Sequence, residues 1–232
     1  MKKILLGTTM IAGLMVAGTA QAADLRAPVY KAPPQAYTDW NGFYLGINGG
    51  GGWADTLQVD TAGTTTGRYH QSGALFGGTF GYNWQFSNWV LGVEGDFDWA
   101  DINGSVTSGV CTAGRCFTNL RDFGTVRARL GFLATPNWLL YGTGGFAWGD
   151  VKAGQDSCAG PLQICGDKTR TGWAAGVGGE YMIAPRWSIK VEYLHFDFGR
   201  EVQYQPVIPV RVEERGNIVR AGLNWHFGGG RY

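Results

Sequence analysis

Ten charged side chains have types and spacing that could do chemistry. Glu94, Asp96 and Asp98 recur at every second residue, as do Arg127 with Arg129 and Lys190 with Glu192; Arg121, Glu180 and Arg220 complete the set. Such acids and bases on one face could line a narrow, gated ion path. They could equally pair with one another into a plugged polar core, because an unpaired buried charge is costly. Other candidates carry less. Tyr69 and His70 could be axial ligands of a haem, but adjacent aromatic and His residues in a loop are more often plain surface. None of His70, His195 and His226 has a Ser and an acid nearby in a pattern that suggests a hydrolase. Gly49 to Gly52 lacks the Lys-Ser/Thr of a P-loop and reads as a curved strand of small residues. No catalytic, metal or cofactor-binding residue is assigned, and no cofactor is expected.

The elements that position these charges have a period of two, the signature of strands. Phe43, Leu45 and Ile47 alternate with Tyr44, Gly46 and Asn48, and seven more segments follow. Ala74, Phe76, Phe80, Tyr82 and Trp84 share a face of the second. In the third, Trp89, Leu91, Val93, Phe97 and Trp99 oppose Glu94, Asp96 and Asp98. In the fourth, Leu120, Val126, Ala128, Leu130 and Phe132 oppose Arg121, Arg127 and Arg129. The fifth, Trp138 to Trp148, alternates too poorly for its faces to be assigned. Glu180 opposes Trp173, Ala175, Val177 and Tyr181 in the sixth; Lys190 and Glu192 oppose Trp187, Ile189, Val191 and Tyr193 in the seventh. The eighth sets Val219, Ala221, Leu223, Trp225 and Phe227 against Arg220, Asn224 and His226.

Spacing then separates a membrane barrel from a soluble sandwich. With starts at Phe43, Ala74, Trp89, Leu120, Trp138, Thr171, Trp187 and Asn217, successive intervals are 31, 15, 31, 18, 33, 16 and 30 residues. Strict alternation of long and short connections is the rhythm of an up-and-down meander with turns in the periplasm and loops outside. Tryptophan gives an independent test, since its ring favours the headgroup level. Trp40, Trp84, Trp89, Trp138, Trp187 and Trp225 fall at the short-turn ends, and Trp53, Trp99, Trp148 and Trp173 at the long-loop ends. Two aromatic girdles are expected. The fold class is therefore all-β, an eight-stranded antiparallel transmembrane up-and-down β-barrel, with loops 54–71, 101–119, 150–169 and 200–216 facing outward.

Composition agrees. The chain has 232 residues, 39 Gly, 32 aromatics counted from 10 Trp, 10 Tyr and 12 Phe, and a net charge of +1, which leaves no bulk field to attract nucleic acid. Residues 1–22 run from Lys2 and Lys3 through an apolar stretch to Ala20-Gln21-Ala22 and read as a cleaved signal peptide. Residues 23–39, with Pro28, Pro33 and Pro34, read as a Pro-rich periplasmic linker, and 40–232 as the barrel. All four Cys lie in long connections, which suits an oxidising compartment. Within-loop bridges Cys111–Cys116 and Cys158–Cys165 are expected, with a thiolate metal site as the alternative.

Trp40-Asn41-Gly42-Phe43-Tyr44-Leu45-Gly46, Gly81-Tyr82-Asn83-Trp84-Gln85, Gly124-Thr125-Val126-Arg127-Ala128-Arg129-Leu130-Gly131, Leu140-Tyr141-Gly142-Thr143-Gly144-Gly145 and Val219-Arg220-Ala221-Gly222-Leu223-Asn224-Trp225 resemble the small outer-membrane barrels of alphaproteobacteria, known as porin-family or outer-membrane immunogenic proteins. The resemblance implies an OmpA-like barrel without a peptidoglycan-binding domain and brings no catalytic motif. It departs at the end, where Gly228 to Tyr232 follow Phe227. A structural or surface-exposed, non-catalytic role in the outer membrane is the first expectation; a narrow small-solute porin, or haem or host-ligand binding by the loops, are the alternatives. Expected partners are outer-membrane lipid and lipopolysaccharide, and the barrel assembly machinery during biogenesis. A monomer is favoured. An eight-stranded lumen is just wide enough for side chains to fill, which favours the plugged core over the ion path.

Overall fold

The structure, a computed structural model, describes residues 38–59, 63–109, 111, 114–155, 165–202 and 211–227. The expected targeting segment and all but the end of the linker lie outside them. Eight strands follow in chain order: β1 (Gly42–Val59), β2 (Thr65–Phe86), β3 (Trp89–Thr107), β4 (Arg115–Thr135), β5 (Trp138–Gln155), β6 (Cys165–Ala184), β7 (Trp187–Val202) and β8 (Arg211–His226). Each pairs antiparallel with the next, and β8 returns to β1 from Tyr44↔His226 to Val59↔Arg211, so the sheet closes and leaves no edge. Two-residue turns at 87–88, 136–137 and 185–186 join strands at one end. Ser87 takes a left-handed φ of 54° there. At the other end the strands outrun the expected loop boundaries, β1 reaching Val59 and β4 beginning at Arg115, so much of what reads as loop is hairpin.

Burial is inverted relative to a soluble protein. Phe43, Leu45, Ile47, Phe76, Phe80, Leu91, Val93, Leu130, Val177 and Val191 are exposed on the outer wall, while Glu94, Asp96, Arg127 and Arg129 are buried inside. Nine of the ten Trp lie on the wall near its two rims, where Trp187 meets Trp225 edge-on at 4.8 Å and Trp138 lies 5.0 Å from Tyr181. Trp40 departs from the expected girdle. It is fully buried at the short-turn mouth, its indole N–H donating to Pro136 O at 3.0 Å and its ring edge-on to His226. It precedes β1, so strand alternation does not fix its side, and a ring with one polar tip closes an open mouth well.

Facing also changes within β4. Arg121, expected inside, is exposed and lies 3.7 Å from Asp167 on the outer wall; Leu120, expected outside, is fully buried. The register against β5 shifts between Leu120 and Asp122, so β4 carries one residue more than β5 there, while β3 carries one more than β4 between Trp99 and Ile102. A single inserted residue moves every residue beyond it to the other face. On β5, where alternation is weak because Gly142, Gly144 and Gly145 carry no side chain, Leu139, Tyr141, Ala147 and Val151 point inward and Leu140 and Phe146 outward.

Two inward glycines make room for rings. A side chain at Gly81 would collide with the Tyr44 ring, and one at Gly178 with the Tyr141 ring. Gly81→Val should therefore destabilise the barrel by about 1–3 kcal/mol through overpacking. Urea unfolding in detergent, followed by tryptophan fluorescence, should show it; an unchanged midpoint would mean that Tyr44 has another place to go.

Candidate functional site

The lumen is the candidate site, and it is built in layers. At the short-turn mouth Trp40, Val90, Leu133, Leu139, Tyr141 and Met182 pack together. Above them stand nine of the ten charges singled out in the sequence, all but Arg121, each no more than 5% exposed. Strand alternation brings them in from five strands, with Arg127 directly opposite Glu94 in the β3–β4 register.

Two guanidinium groups knit the layer. Arg127 donates from Nη2 to Glu94 at 2.7 Å and Asp96 at 2.8 Å, and from Nη1 to Glu192 at 2.9 Å. Arg220 donates to Asp98 at 2.6 Å, Asp96 at 2.9 Å and Glu192 at 2.8 Å. Lys190 Nζ lies 3.0 Å from Glu94. Arg129 stands 3.6 Å from Glu94, and its closer ion pair is with Glu180 across the lumen. Its guanidinium also sits 4.0 Å from the centre of the Tyr141 ring, a cation–π contact. With Arg121 outside, five carboxylates face four fixed cations and His226.

Several members were not legible as such. Tyr44 donates its hydroxyl to Glu94 at 2.7 Å, and Thr125 donates to Asp96 at 2.6 Å. Both share strand parity with residues already placed inside, which is the signal that could have found them. Ser188 lies 2.5 Å from Glu180 and 2.8 Å from His226 Nε2, a trio absent from the sequence reading. It lacks the geometry of a hydrolase: Glu180 lies 3.4 Å from that same Nε2, where a triad carboxylate would hold the other ring nitrogen. All three residues are also buried.

Beyond the charges comes a second apolar layer, in which Leu75, Ile102, Leu120, Phe123, Leu194, Phe196, Phe198 and Ile218 fill the lumen. Phe196 lies 5.2 Å from Phe123 and 5.0 Å from Phe198. Apolar clusters thus lie below and above the ionic core.

Tyr69 and His70 are adjacent on β2 and so face opposite ways. Tyr69 is buried and bonds Gln58 at 2.8 Å and Thr118 at 2.5 Å, whereas His70 is exposed beside Asp55 at 2.5 Å. They cannot hold one ligand between them. Cys111 and Cys116 are joined by a disulfide. Cys158 lies outside the described residues.

A model described as the outer membrane protein beta-barrel domain covers residues 11–227. The chain belongs to that family. It is 38% identical to a 31 kDa outer-membrane immunogenic protein of Brucella melitensis, over 98% of this chain and 100% of the relative. It is 35% identical to a 22 kDa outer membrane protein of Rhizobium leguminosarum, over 72% of this chain and 69% of the relative. Among solved structures, Neisserial surface protein A is similar at 13% identity with a TM-score of 0.44, over 80% of this chain and 97% of that one. The protein is an outer-membrane β-barrel.

Two predictions follow from the lumen's charges. Glu180→Gln should lower stability in detergent by about 3–5 kcal/mol, because Arg129 loses its closest carboxylate, and adding Arg129→Met should restore part of it. Glu94→Gln should also be costly: Arg127 keeps Asp96 and Glu192, but Lys190 loses its carboxylate partner at 3.0 Å. Strictly additive losses for Glu180 and Arg129 would show that the two are not coupled.

Glu214 gives a pH dependence. It lies on β8 opposite Thr56, three residues beyond the outer-girdle Trp53 and so outside the membrane, yet it is fully buried. Burial raises its carboxyl to about 7, against the opposing pull of Arg170. The folded state then keeps a proton that the unfolded chain has lost, so Glu214's own contribution to stability is greatest below about pH 4.5 and is lost as pH rises to about 7. The shift corresponds to about 3 kcal/mol. Glu214→Gln should flatten that segment of the profile and be the more stable form at pH 8 in urea titrations. An unchanged profile would place the titration elsewhere.

Proposed function

We propose that this protein is a closed, non-conducting and non-catalytic barrel whose work is to anchor surface hairpins in the outer membrane and hold them toward the environment or a host. The observation that carries this reading is the pair of apolar layers that seal the lumen on both sides of the ionic core. An ion would have to shed its water to pass either layer, whose side chains are mostly apolar. Burial of the Ser188, Glu180 and His226 trio argues against hydrolysis. The strands that continue past the outer girdle give the hairpins a rigid base, and relatives named as immunogenic suit a protein whose hairpins reach the cell surface. The same reading includes export by a cleaved segment 1–22, a periplasmic linker 23–39 and a second bridge between Cys158 and Cys165.

Planar-bilayer recording of the refolded full chain tests it. Both the parent and Glu94→Gln should be silent, because removing one charge leaves the two apolar seals in place. Steady, salt-dependent channels from the parent would overturn the closed reading in favour of a narrow small-solute porin.

A further inference from the structure

On the outer wall beyond the girdle, β3, β4 and β5 form a groove of about 500 Å³ that the lumen does not use. Its outward side chains are Asn103 and Ser105 from β3, Arg115, Phe117 and Asn119 from β4, and Lys152 from β5. Register sets them in rows: Asn103 opposite Asn119, Asn119 opposite Lys152, and Ser105 opposite Phe117. Strand parity puts all six on the face that carries Trp99 and Trp148 lower down. Lys152 is four residues past Trp148, which at about 3.3 Å per residue and a tilt of about 40° is roughly 10 Å above the girdle.

The chemistry of the groove is that of a receptor for an acidic sugar. Neither Arg115 nor Lys152 has a carboxylate within ion-pair distance among the described residues, although the outer wall pairs other cations, as in Arg68–Glu213 and Lys168–Glu201. Arg115 spends one N–H on Ser105 at 2.9 Å. The rest of its fork remains for an anion. Asn119 Oδ1 is buried with no hydrogen-bond partner, an acceptor turned into the groove wall. Phe117 offers a ring face between the two cations. Asp167 is the cross-strand neighbour of Lys152 on β6 and forms its ion pair with Arg121 at 3.7 Å; of the acids just below, Asp101 accepts from Asn103 at 2.6 Å and Asp122 accepts the Asp150 backbone N–H at 3.1 Å.

We infer that this groove binds the phosphorylated sugar headgroup of lipopolysaccharide in the surrounding outer leaflet. The groove opens sideways, in the plane of the membrane, at the height of that headgroup, and not upward from the hairpin tips where a soluble partner would arrive. The inference stands whether or not the lumen conducts.

The test is a titration of the full chain, refolded in detergent, with lipopolysaccharide and with the same lipopolysaccharide after enzymatic removal of its phosphates, read by native mass spectrometry. Arg115→Gln with Lys152→Gln should weaken binding of the phosphorylated form about tenfold, since each cation near an anionic headgroup contributes about one such half-decade or more. The dephosphorylated form should bind parent and variant alike. Arg68→Gln, on the far wall and already paired with Glu213, should change neither. Heat-modifiable migration on a gel confirms that each variant is folded, and Lys152→Arg should retain binding if the double variant is not. Equal affinity of parent and folded double variant would overturn the inference. So would full competition by inorganic phosphate at equal concentration, which would make the site a general anion site and not one for the leaflet.

Discussion

Everything inside this barrel follows from a lumen too narrow for water to solvate the charges that strand alternation turns inward. Eight strands enclose a space that side chains fill. Glu94, Asp96, Asp98, Glu180 and Glu192 must therefore find their partners within it: Arg127 and Arg220 each serve three of these carboxylates, and Arg129 takes Glu180. Breaking one contact leaves a buried charge without a partner, so the network opposes any slip of strand register.

The apolar layers make that network durable. Trp40 and its neighbours pack below it, and Phe123, Phe196 and Phe198 pack above it. In the low-dielectric space between them each ion pair is stronger than at a surface. The outer wall solves the opposite problem with exposed Leu, Val and Phe, matched to lipid, and rims of Trp matched to the headgroups. One sheet thus separates two environments by parity alone.

The sequence revealed the parts of this design that parity and spacing encode. Eight strands, their order and the inward facing of nine charges are all legible in an alternating pattern with long and short connections. What it concealed has specific causes. The extra residue at Arg121–Asp122 leaves no mark in composition, so Arg121 and Leu120 exchange sides unseen. The upper apolar layer is hidden because Leu194, His195 and Phe196 place bulky residues on both faces, which erases alternation just where the inner face turns apolar. Trp40 lies before the first strand, where parity says nothing. The Ser188 and His226 contact joins residues 38 positions apart and shows only once β7 and β8 are in register.

The irregularity in β4 also bears on how such a surface can change. A strand carries its facing as a phase, and an unbroken strand transmits that phase from periplasm to surface. The added residue resets it at the outer rim. Above that point β4 is out of step with its membrane portion, so the hairpin it builds with β3 answers to its own pairing and not to the bilayer's. Substitution, and insertion by odd as well as even steps, can then rework the exposed hairpin while Arg127 and Arg129 below keep their facing.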